Sequence, residues 1–247
     1  MKTINKTVQI LDALVNTDGA RVTELSRQLD IPESTVHSHL KSLSQHGFVQ
    51  NKGGTYVLGL KFLYYGGDVL HNSPEYEQIQ EKVATLAEKT RERSQFITEQ
   101  DGQGIYLHVE TKSDEAVRTD VRMGKVVNLH TTAAGKAILA NLPDHTVESI
   151  IERYGLDAQT ENTITDKEAL FAELKEIREQ SYSINDEERI TKQRAVGAPV
   201  LDASGRVVGA FSVSGPTHRM SGDRFKKEIP NLLLGTANEV ELNIKYR

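Results

Sequence analysis

Apolar residues recur every three or four positions in the first part of the chain, which is the spacing of one face of an α-helix. In residues 4–15 this pattern predicts a first helix with an apolar stripe formed by Ile4, Val8, Leu11 and Val15. Residues 22–29 predict a second, shorter helix, which ends before Pro32 because the residue preceding a proline disfavours helical geometry. A third helix begins near this proline, and its apolar face is formed by Val36, Leu40 and Leu43.

The third predicted helix has a polar exposed face that lacks carboxylates after its first turn. Two short helices joined by a tight turn form a helix-turn-helix, whose second helix enters the major groove of DNA. Short hydroxyl side chains let the backbone approach the groove, and a histidine and a lysine one turn apart can reach bases or phosphates. We therefore predict that the groove is read by Ser34, Thr35, His37, Ser38 and Lys41.

A β-hairpin is predicted after the third helix. Its strands are expected at residues 48–49 and 56–58, and the sequence NKGG between them supplies glycines for a tight turn. Such a hairpin is typical of the wing of a winged helix, so Lys52 at its tip is a candidate contact with phosphates or the minor groove. The alternative for this part of the chain is a small three-helix module that binds protein rather than DNA. His37 and His39 point to different sides of their helix and cannot share a metal ion.

The hydrophobic period changes from helical spacing to alternation after residue 94, which indicates strands. Strands are predicted at residues 95–101, 105–112, 116–122, 125–129, 194–202 and 206–216. Helices are predicted at residues 75–93, 131–142, 145–155 and 166–180, and from Gly222 to the end, interrupted by Pro230. Because strands and helices are segregated rather than alternating, we expect an α+β domain with a mainly antiparallel sheet. Gly66-Gly67 and the sequence NSP at residues 72–74 are hinge signals before this domain.

Composition and charge limit the functional classes. The 247 residues suffice for two domains, and the absence of cysteine excludes disulfides and thiolate metal sites. No apolar run is long enough to span a membrane and the N-terminal segment lacks a signal-peptide pattern, so we expect a cytoplasmic protein. The net charge is −5, but residues 1–62 carry seven Lys/Arg and five Asp/Glu, so this part is +2 and the remainder −7. This asymmetry alone does not decide whether the protein binds nucleic acid.

One polar cluster in the second part lies at a predicted strand-to-helix junction and contains His130, Thr131, Thr132 and Lys136. An enzyme would use a threonine there as nucleophile, with the lysine or histidine as base. We favour a different interpretation, in which a threonine caps the helix beside an anion seat formed by the amides of residues 133–135. The segment is not a P-loop, because the earlier glycine of that motif is missing.

Two further clusters could also carry chemistry. The acidic sequence NDEE at residues 185–188 could act in acid–base catalysis or bind a metal ion, although so dense a run of charge is more often a solvated loop. Ser212 and Ser214 share one face of a predicted strand and could contact a ligand hydroxyl or carboxylate. Surface exposure is the alternative for these serines, although Phe211 and Val213 imply that one side of the strand is buried.

Four segments, in this order and spacing, resemble the IclR-type transcriptional regulators: VTELSRQLDIPESTVHSHLKSLSQHGFV, LHTTAAGKAILA, NDEE and VGAPVLDASGRVVGAFSVSGP. The resemblance covers nearly the whole chain. It implies a winged helix-turn-helix at residues 1–62, a linker helix at 63–75 and a GAF/PAS-like effector domain at 76–247. It also implies dimers, often paired into tetramers, that bind palindromic double-stranded DNA operators and respond to small organic acids or related metabolites. From the sequence itself we expect no cofactor and no membrane partner.

The resemblance also implies which residues line the effector pocket. Carried over position by position, these are Val127, Ala133, Ala134, Gly135, Asn185, Ala195, Ser212 and Ser214. The amides of residues 133–135 would hold the ligand carboxylate. The chain departs from the family at Ser38, where an arginine is frequent, and at Asn185 and Ala195, where some acid-binding members have an acidic residue and a cysteine. We therefore expect differences in operator sequence and in ligand choice.

Together these patterns predict a ligand-responsive, sequence-specific DNA-binding transcriptional regulator that is not an enzyme. The alternative is a small-molecule enzyme with an accessory winged-helix module, best supported by the threonine, lysine and histidine cluster. The sequence contains no nucleophile elbow, metal-ligand spacing or cofactor motif, which disfavours that alternative. A third hypothesis is a ligand-gated module that binds protein partners without touching DNA.

Overall fold

The computed structural model describes residues 2–72, 75–112 and 121–246, and the chain divides into two compact units, residues 1–73 and residues 74–247. The elements of the first unit are α1 (Lys2–Thr17), α2 (Val22–Leu29), α3 (Glu33–Gln45), β1 (Val49–Lys52), β2 (Thr55–Leu58) and α4 (Lys61–His71). Its first three helices and the antiparallel hairpin β1–β2 enclose one apolar core. The predicted winged helix-turn-helix is therefore confirmed.

The apolar stripe predicted for α1 is wrong. Three of its four members are exposed, namely Ile4, Val8 and Val15. The core is filled instead by Ile10, Ala13 and Leu14. Helix α1 carries apolar residues on two sides, and their spacing cannot show which side is buried. Tertiary contacts decide the orientation, including the hydrogen bond between Thr7 Oγ1 and His39 Nδ1 of α3 at 2.8 Å.

Helix α4 runs without interruption through Gly66 and Gly67, so these glycines are helical residues and not a hinge. None of the α4 residues is buried, although Phe48 stacks on Tyr65 with 5.8 Å between the ring centroids. The other predicted hinge signal includes Ser73 and Pro74, which lie outside the described residues.

The second unit is an α+β fold on one antiparallel sheet, in which the six strands of the described residues have the order β5-β4-β3-β8-β7-β6. The strands are β3 (Arg93–Gln100), β4 (Gln103–Glu110), β5 (Val126–Val127), β6 (Ser183–Asp186), β7 (Gln193–Leu201) and β8 (Val207–Pro216). The helices are α5 (Glu75–Thr90), α6 (Ala133–Ala140), α7 (Asp144–Tyr154), α8 (Lys167–Gln180) and α9 (Ile229–Lys245). Residues 116–120 of one predicted strand lie outside the described residues, and the acidic run contributes a strand, β6, that was not predicted.

Helices cover both faces of this sheet. Helix α6 packs on β3, β7 and β8, and its core cluster with α7 and α8 includes Ile97, Ala134 and Leu174. Helices α5 and α9 contact each other and the sheet, and none of their described residues belongs to that cluster. They therefore cover the other face, toward which Phe96 and Phe211 point, with ring centroids 4.9 Å apart.

Candidate nucleic-acid interface and ligand cavity

The helix-turn-helix consists of α2 and α3 joined by the three residues 30–32. Asp30 has a left-handed backbone with φ 52°, and its amide donates to the carbonyl of Ser26 at the end of α2. The hydroxyl of Ser26 donates to the carbonyl of Ile31 at 2.7 Å, and the Ile31 side chain is buried. These contacts fix the direction in which α3 leaves the turn.

The residues predicted to read DNA lie on the solvent side of α3. The exposed ones are Ser34, His37, Ser38 and Lys41, and Thr35 is half-buried. Val36 and Leu40 lie between them in the sequence and are fully buried in the core. The exposed side of α3 after Glu33 therefore carries hydroxyl, imidazole and ammonium groups and no carboxylate, which suits contact with a phosphate backbone.

The wing is a hairpin with a two-residue turn. Lys52 pairs with Thr55, and Gly53 and Gly54 between them have φ angles of 63° and 95°, which glycine adopts readily. The side chain of Asn51 stabilises this turn by accepting from the Gly54 amide at 2.8 Å. Lys52 is the last residue of β1 and is exposed, so its ammonium is available at the tip of the wing.

A small cavity that opens to solvent lies where the start of α6 meets strands of the sheet. Five of the eight residues predicted for the effector pocket line it, namely Ala133, Asn185, Ala195, Ser212 and Ser214. Strand register accounts for this grouping, because Asn185 pairs with Ala195, and Ala195 pairs with Ser214. Directly paired residues of neighbouring strands project to the same face of a sheet.

Val127, Ala134 and Gly135 are not among the described residues that line this cavity. Val127 and Ala134 pack into the apolar core with α6. The Gly135 amide donates to Thr132 Oγ1 at 2.9 Å, so it is engaged in capping. A Cβ on Gly197 of β7 would lie 2.7 Å from the Ala134 nitrogen, which shows how closely the sheet covers this end of α6. Of residues 133–135, whose amides were predicted to bind an anion, only Ala133 is therefore among the described residues that line the cavity.

Four long polar side chains of the cavity wall were not predicted, and one of them is Gln193 of β7. Arg93 and Gln95 come from β3, and Arg189 comes from the loop after β6. Arg93 and Gln95 are two positions apart and so share a face of their strand, a signal that could have indicated them. Nothing in the sequence pattern indicates Arg189, because a loop has no fixed period.

The described part of the cavity wall contains two cationic side chains, Arg93 and Arg189. Arg189 donates a hydrogen bond to the Tyr106 hydroxyl, and its guanidinium carbon lies 5.5 Å from the centroid of that ring. Burial lowers the pKa of Arg93; Tyr106 opposes this shift, and the nearby Arg189 cation adds to it. No carboxylate is found among the described residues of the wall. Two cations in a partly desolvated space favour the binding of an anion.

Ser212 and Ser214 are 2% and 6% exposed, so the alternative that they lie on the surface is wrong. Gln95 holds them together, because its Nε2 donates to Ser212 Oγ at 2.8 Å and lies 3.4 Å from Ser214 Oγ. The cavity wall therefore contains a buried polar patch, formed by Gln95, Ser212 and Ser214, together with the guanidinium groups of Arg93 and Arg189.

Lys136 is fully buried, and its Nζ lies 2.8 Å from Glu173 Oε1 and 2.7 Å from Glu188 Oε1. Glu188 is 7% exposed, so the acidic run at residues 185–188 is not simply a solvated loop. The neighbouring Asn185 donates from Nδ2 to the carbonyl of Thr131 at 2.9 Å. The ion pair of Lys136 with Glu188 and the hydrogen bond of Asn185 with Thr131 together attach the loop after β6 to the start of α6.

The threonines, histidine and lysine of the junction do not form a nucleophile–base pair. Thr132 caps α6 as predicted, and the hydroxyl of Thr131 donates to the Asn128 carbonyl at 2.8 Å. The His130 Nε2 is 3.2 Å from the Asp157 carbonyl. Across the part of the chain that the structure describes, there is no group of three or more side chains arranged to hold a metal ion. None of the helices described here is both long and apolar enough to cross a membrane.

Comparisons with known proteins agree with this architecture. Residues 3–53 match the IclR helix-turn-helix domain, and residues 68–242 match the family described as bacterial transcriptional regulator IclR C-terminal. A probable HTH-type transcriptional regulator ArcR of Halobacterium salinarum is 35% identical over 242 residues, covering 96% of this chain and 92% of that protein. The HTH-type transcriptional regulator KdgR of Escherichia coli is 30% identical over 248 residues, covering 100% and 94%.

A solved structure shows the same fold. The crystal structure of the Thermotoga maritima IclR superposes with a TM-score of 0.81 at 28% sequence identity and covers 99% of both chains. The relatives are transcriptional regulators and not enzymes, in agreement with a junction cluster that is engaged in capping and ion pairing. The chain therefore belongs to the IclR family of transcriptional regulators, with a DNA-binding winged helix-turn-helix and a C-terminal effector domain.

Proposed function

We propose that the second unit binds a small organic acid and that the bound acid changes the affinity of the winged helix-turn-helix for an operator. One observation carries this proposal: the described cavity wall contains two guanidinium groups, serine hydroxyls and side-chain amides but no carboxylate. A ligand carboxylate in this space would form charge-assisted hydrogen bonds and would reduce the repulsion between the two cations. A cationic ligand would find no counter-charge there among the described residues.

Within this proposal, the cavity residues have distinct roles. The guanidinium of Arg189, with Arg93 beside it, attracts the carboxylate, and the polar patch of Gln95, Ser212 and Ser214 binds the remainder of the ligand. Asn185, Ala133 and Ala195 limit its size, because they line the same wall. The family-derived contacts at Val127, Ala134 and Gly135 are left out of this assignment, since their side chains face the core or are absent.

We also propose that α3 reads the major groove through Ser34, Thr35, His37, Ser38 and Lys41, and that Lys52 contacts DNA from the wing. The exposure of Ser34, His37, Ser38 and Lys41 on α3 and of Lys52 in the wing supports this assignment, and Thr35 is half-buried. In this scheme residues 1–62 bind DNA, residues 63–75 link the units and residues 76–247 bind the effector. The protein acts in the cytoplasm, where its operator is.

A homo-oligomer, a dimer or a tetramer, is part of the same proposal. A helix-turn-helix that binds a palindromic operator does so as a dimer with one reading helix per half-site. The first unit has large apolar side chains in solvent, and on α4 these are Phe62, Leu63, Tyr64, Tyr65 and Val69. Leu63 alone is 71% exposed, and large apolar side chains in solvent are a feature of protein–protein contact sites.

The proposal is tested by fluorescence anisotropy of labelled DNA from upstream of the gene for this protein, with a scrambled duplex as control. The titrations are run at several salt concentrations with a panel of small carboxylic acids. We expect specific binding that one acid strengthens or weakens. Arg189→Gln should raise the concentration of that acid needed for the effect about tenfold or more, since a charge-assisted contact is lost.

Arg206→Gln is the matched control, because Arg206 is exposed and pairs only locally with Asp202 among the contacts described. The acid should act on this variant as on the wild type. Equal responses in Arg189→Gln and the wild type would contradict the assigned carboxylate site. Specific DNA binding that no acid alters would contradict the effector class while leaving the DNA-binding function in place.

A further inference from the structure

Gln95 is 6% exposed and lies in the wall of the cavity on β3. Its amide nitrogen is engaged with the two serines, at 2.8 Å from Ser212 Oγ and 3.4 Å from Ser214 Oγ. Its amide oxygen is buried, and the described residues offer it no hydrogen-bond donor. A buried carbonyl oxygen without a donor is unfavourable and rare in folded proteins, so it requires an explanation.

Three neighbouring donors of the wall have other partners. The Asn185 amide donates to the Thr131 carbonyl, and the Thr131 hydroxyl donates to the Asn128 carbonyl. Arg189 donates to the Tyr106 hydroxyl. These three groups leave the Gln95 oxygen without a donor, and a ligand group in the cavity can supply one.

Resting on the proposed function, we propose that the effector is a carboxylic acid that also carries a hydroxyl group, and that Gln95 determines this specificity. The effector hydroxyl donates to Gln95 Oε1, while its carboxylate lies toward Arg189. The serines complete the site, because each accepts from the Gln95 nitrogen and neither donates a hydrogen bond among the described residues. Both serine hydroxyls can therefore donate hydrogen bonds to the oxygen of the same effector hydroxyl.

The orientation of the Gln95 amide determines whether the cavity selects a ligand with a hydrogen-bond donor or one with an acceptor. With the nitrogen on the serines, the cavity presents an acceptor and selects a ligand with a donor. An amide turned end for end would present N–H groups and would select a ligand with an acceptor, such as an ether oxygen. Matched ligands that differ only in this group distinguish the two orientations.

The test is isothermal titration calorimetry on the full-length protein with three sets of matched acids. The sets are 4-hydroxybenzoate, benzoate and 4-methoxybenzoate; lactate, propionate and 2-methoxypropionate; and glycolate, acetate and methoxyacetate. In at least one set the hydroxy acid should bind about tenfold or more tightly than its deoxy analogue, because only the hydroxyl satisfies the buried oxygen. The methoxy acid, which has no donor, should bind no better than the deoxy acid.

Gln95→Met, which keeps the length of the side chain but removes the acceptor, should abolish the preference for the hydroxy acid and leave binding of the deoxy acid within about twofold. Gln103→Met is the matched control, because Gln103 is a half-buried glutamine on β4 that does not line this cavity. It should retain the wild-type preference.

The comparison of matched acids on the wild-type protein stands even if Gln95→Met is poorly folded. Acids that bind with no preference for the hydroxyl, or with a preference for the methoxy group, would overturn this inference and leave the organic-acid function intact. A preference that persists in a folded Gln95→Met variant would overturn the role of Gln95. Failure of every acid to bind would overturn both this inference and the proposed effector class.

Discussion

At the scale of single residues, two helical glycines of the second unit have opposite surroundings. A Cβ on Gly135 in α6 would lie 2.1 Å from the carbonyl oxygen of Leu129, which is backbone and cannot move aside. Gly235 in α9 has nothing within 4 Å of the same position. We expect Gly135→Ala to destabilise the protein by about 2 kcal/mol or more through overpacking. Gly235→Ala should stabilise it by about 0.5–1 kcal/mol, since alanine favours the helix.

Urea denaturation followed by circular dichroism measures both effects. Gly135 lies two residues from Ala133 in the cavity wall, so the stability of Gly135→Ala also tests whether the close contact with Leu129 holds this part of the wall in place. A Gly135→Ala variant as stable as the wild type would show that the start of α6 can shift away from Leu129. The close contact would then not be what holds Ala133 in place.

Lys41 supplies the ammonium on the exposed side of α3, so its removal tests the proposed reading surface. Lys41→Ala should weaken binding to specific and scrambled DNA alike if the group contacts a phosphate, and should reduce the salt dependence of binding by about one unit of slope. Anisotropy titrations at several salt concentrations measure both quantities. Lys226→Ala, at an exposed lysine of the second unit, is the control and should change neither. An unchanged slope in Lys41→Ala would contradict the assignment of α3.

Residue identities in strands were easier to predict than those in loops and at helix ends. Alternation placed Ser212 and Ser214 on one face, and both line the cavity. No period constrains the loop that carries Arg189, so the most direct candidate for binding a carboxylate was not predicted. The family pattern named Ala134 and Gly135, yet only Ala133 lines the cavity, because a helix turns successive side chains about 100° apart.

At the scale of secondary-structure elements, a buried ion-pair cluster connects α6, α8 and the loop after β6. Lys136 of α6 contacts Glu173 of α8 and Glu188 of the loop, and Asn185 and Arg189 on either side of Glu188 line the cavity. Burial raises the pKa of Glu188, and the Lys136 cation opposes this shift. The cluster therefore determines both the packing of these elements and the position of two proposed effector contacts.

We expect Lys136→Met to cost about 3–5 kcal/mol of stability, because Glu188 would keep a buried charge without its cation. Adding Glu188→Gln should recover much of this loss, since the pair is then removed together. Effector affinity should fall in the single variant, as the loop with Arg189 is no longer attached to α6. Urea denaturation and calorimetry measure the two effects.

Lys167→Met is the matched control for Lys136→Met. Lys167 pairs with Glu148, and both side chains are largely exposed, so the pair contributes little in water. The control should leave stability and effector affinity unchanged within error. A Lys136→Met variant that behaves like this control would show that the loop holds its position without the ion pair.

Elements with a single apolar face were predicted correctly, and those with two were not. Helix α5 buries Ile79, Val83 and Leu86 as its spacing indicated. Helix α1 has apolar residues on two sides, and local spacing cannot choose between them without the tertiary contacts of α3. Helix α4 continues through two glycines because nothing in its surroundings breaks it, although glycine lowers its intrinsic helix propensity.

At the scale of the whole molecule, charge is divided between the two functional parts. Residues 1–62 have a net charge of +2 within a chain of −5, so the remainder carries −7. An acidic effector part is repelled by DNA, whereas the basic part is attracted, which favours encounters that bring the reading helix to the duplex. The same division places the proposed acid-binding cavity in an acidic unit, so in this proposal the local guanidinium groups, and not the overall field, attract the ligand.

The pH dependence of stability is a further property of the whole chain that depends on two buried histidines. Burial lowers the pKa of His108; a hydrogen bond with the backbone of Tyr76 opposes the shift. Burial also lowers the pKa of His130; the Asp157 carbonyl and carboxylate oppose this shift, and the Lys136 cation adds to it. As pH falls below the ordinary histidine pKa of about 6.5, the unfolded chain binds protons that the folded chain does not. The free energy of unfolding should therefore fall between pH 7.5 and 5.5, by at most about 1.4 kcal/mol per pH unit for each histidine.

Urea denaturation at the two pH values measures this loss. The double variant His108→Gln, His130→Gln should lose less stability over the same interval, because glutamine does not titrate. His145→Gln, at an exposed histidine of α7, should follow the wild type. If the double variant loses as much as the wild type, the dependence arises from other groups and the two histidines are protonated as readily in the folded protein as in the unfolded chain.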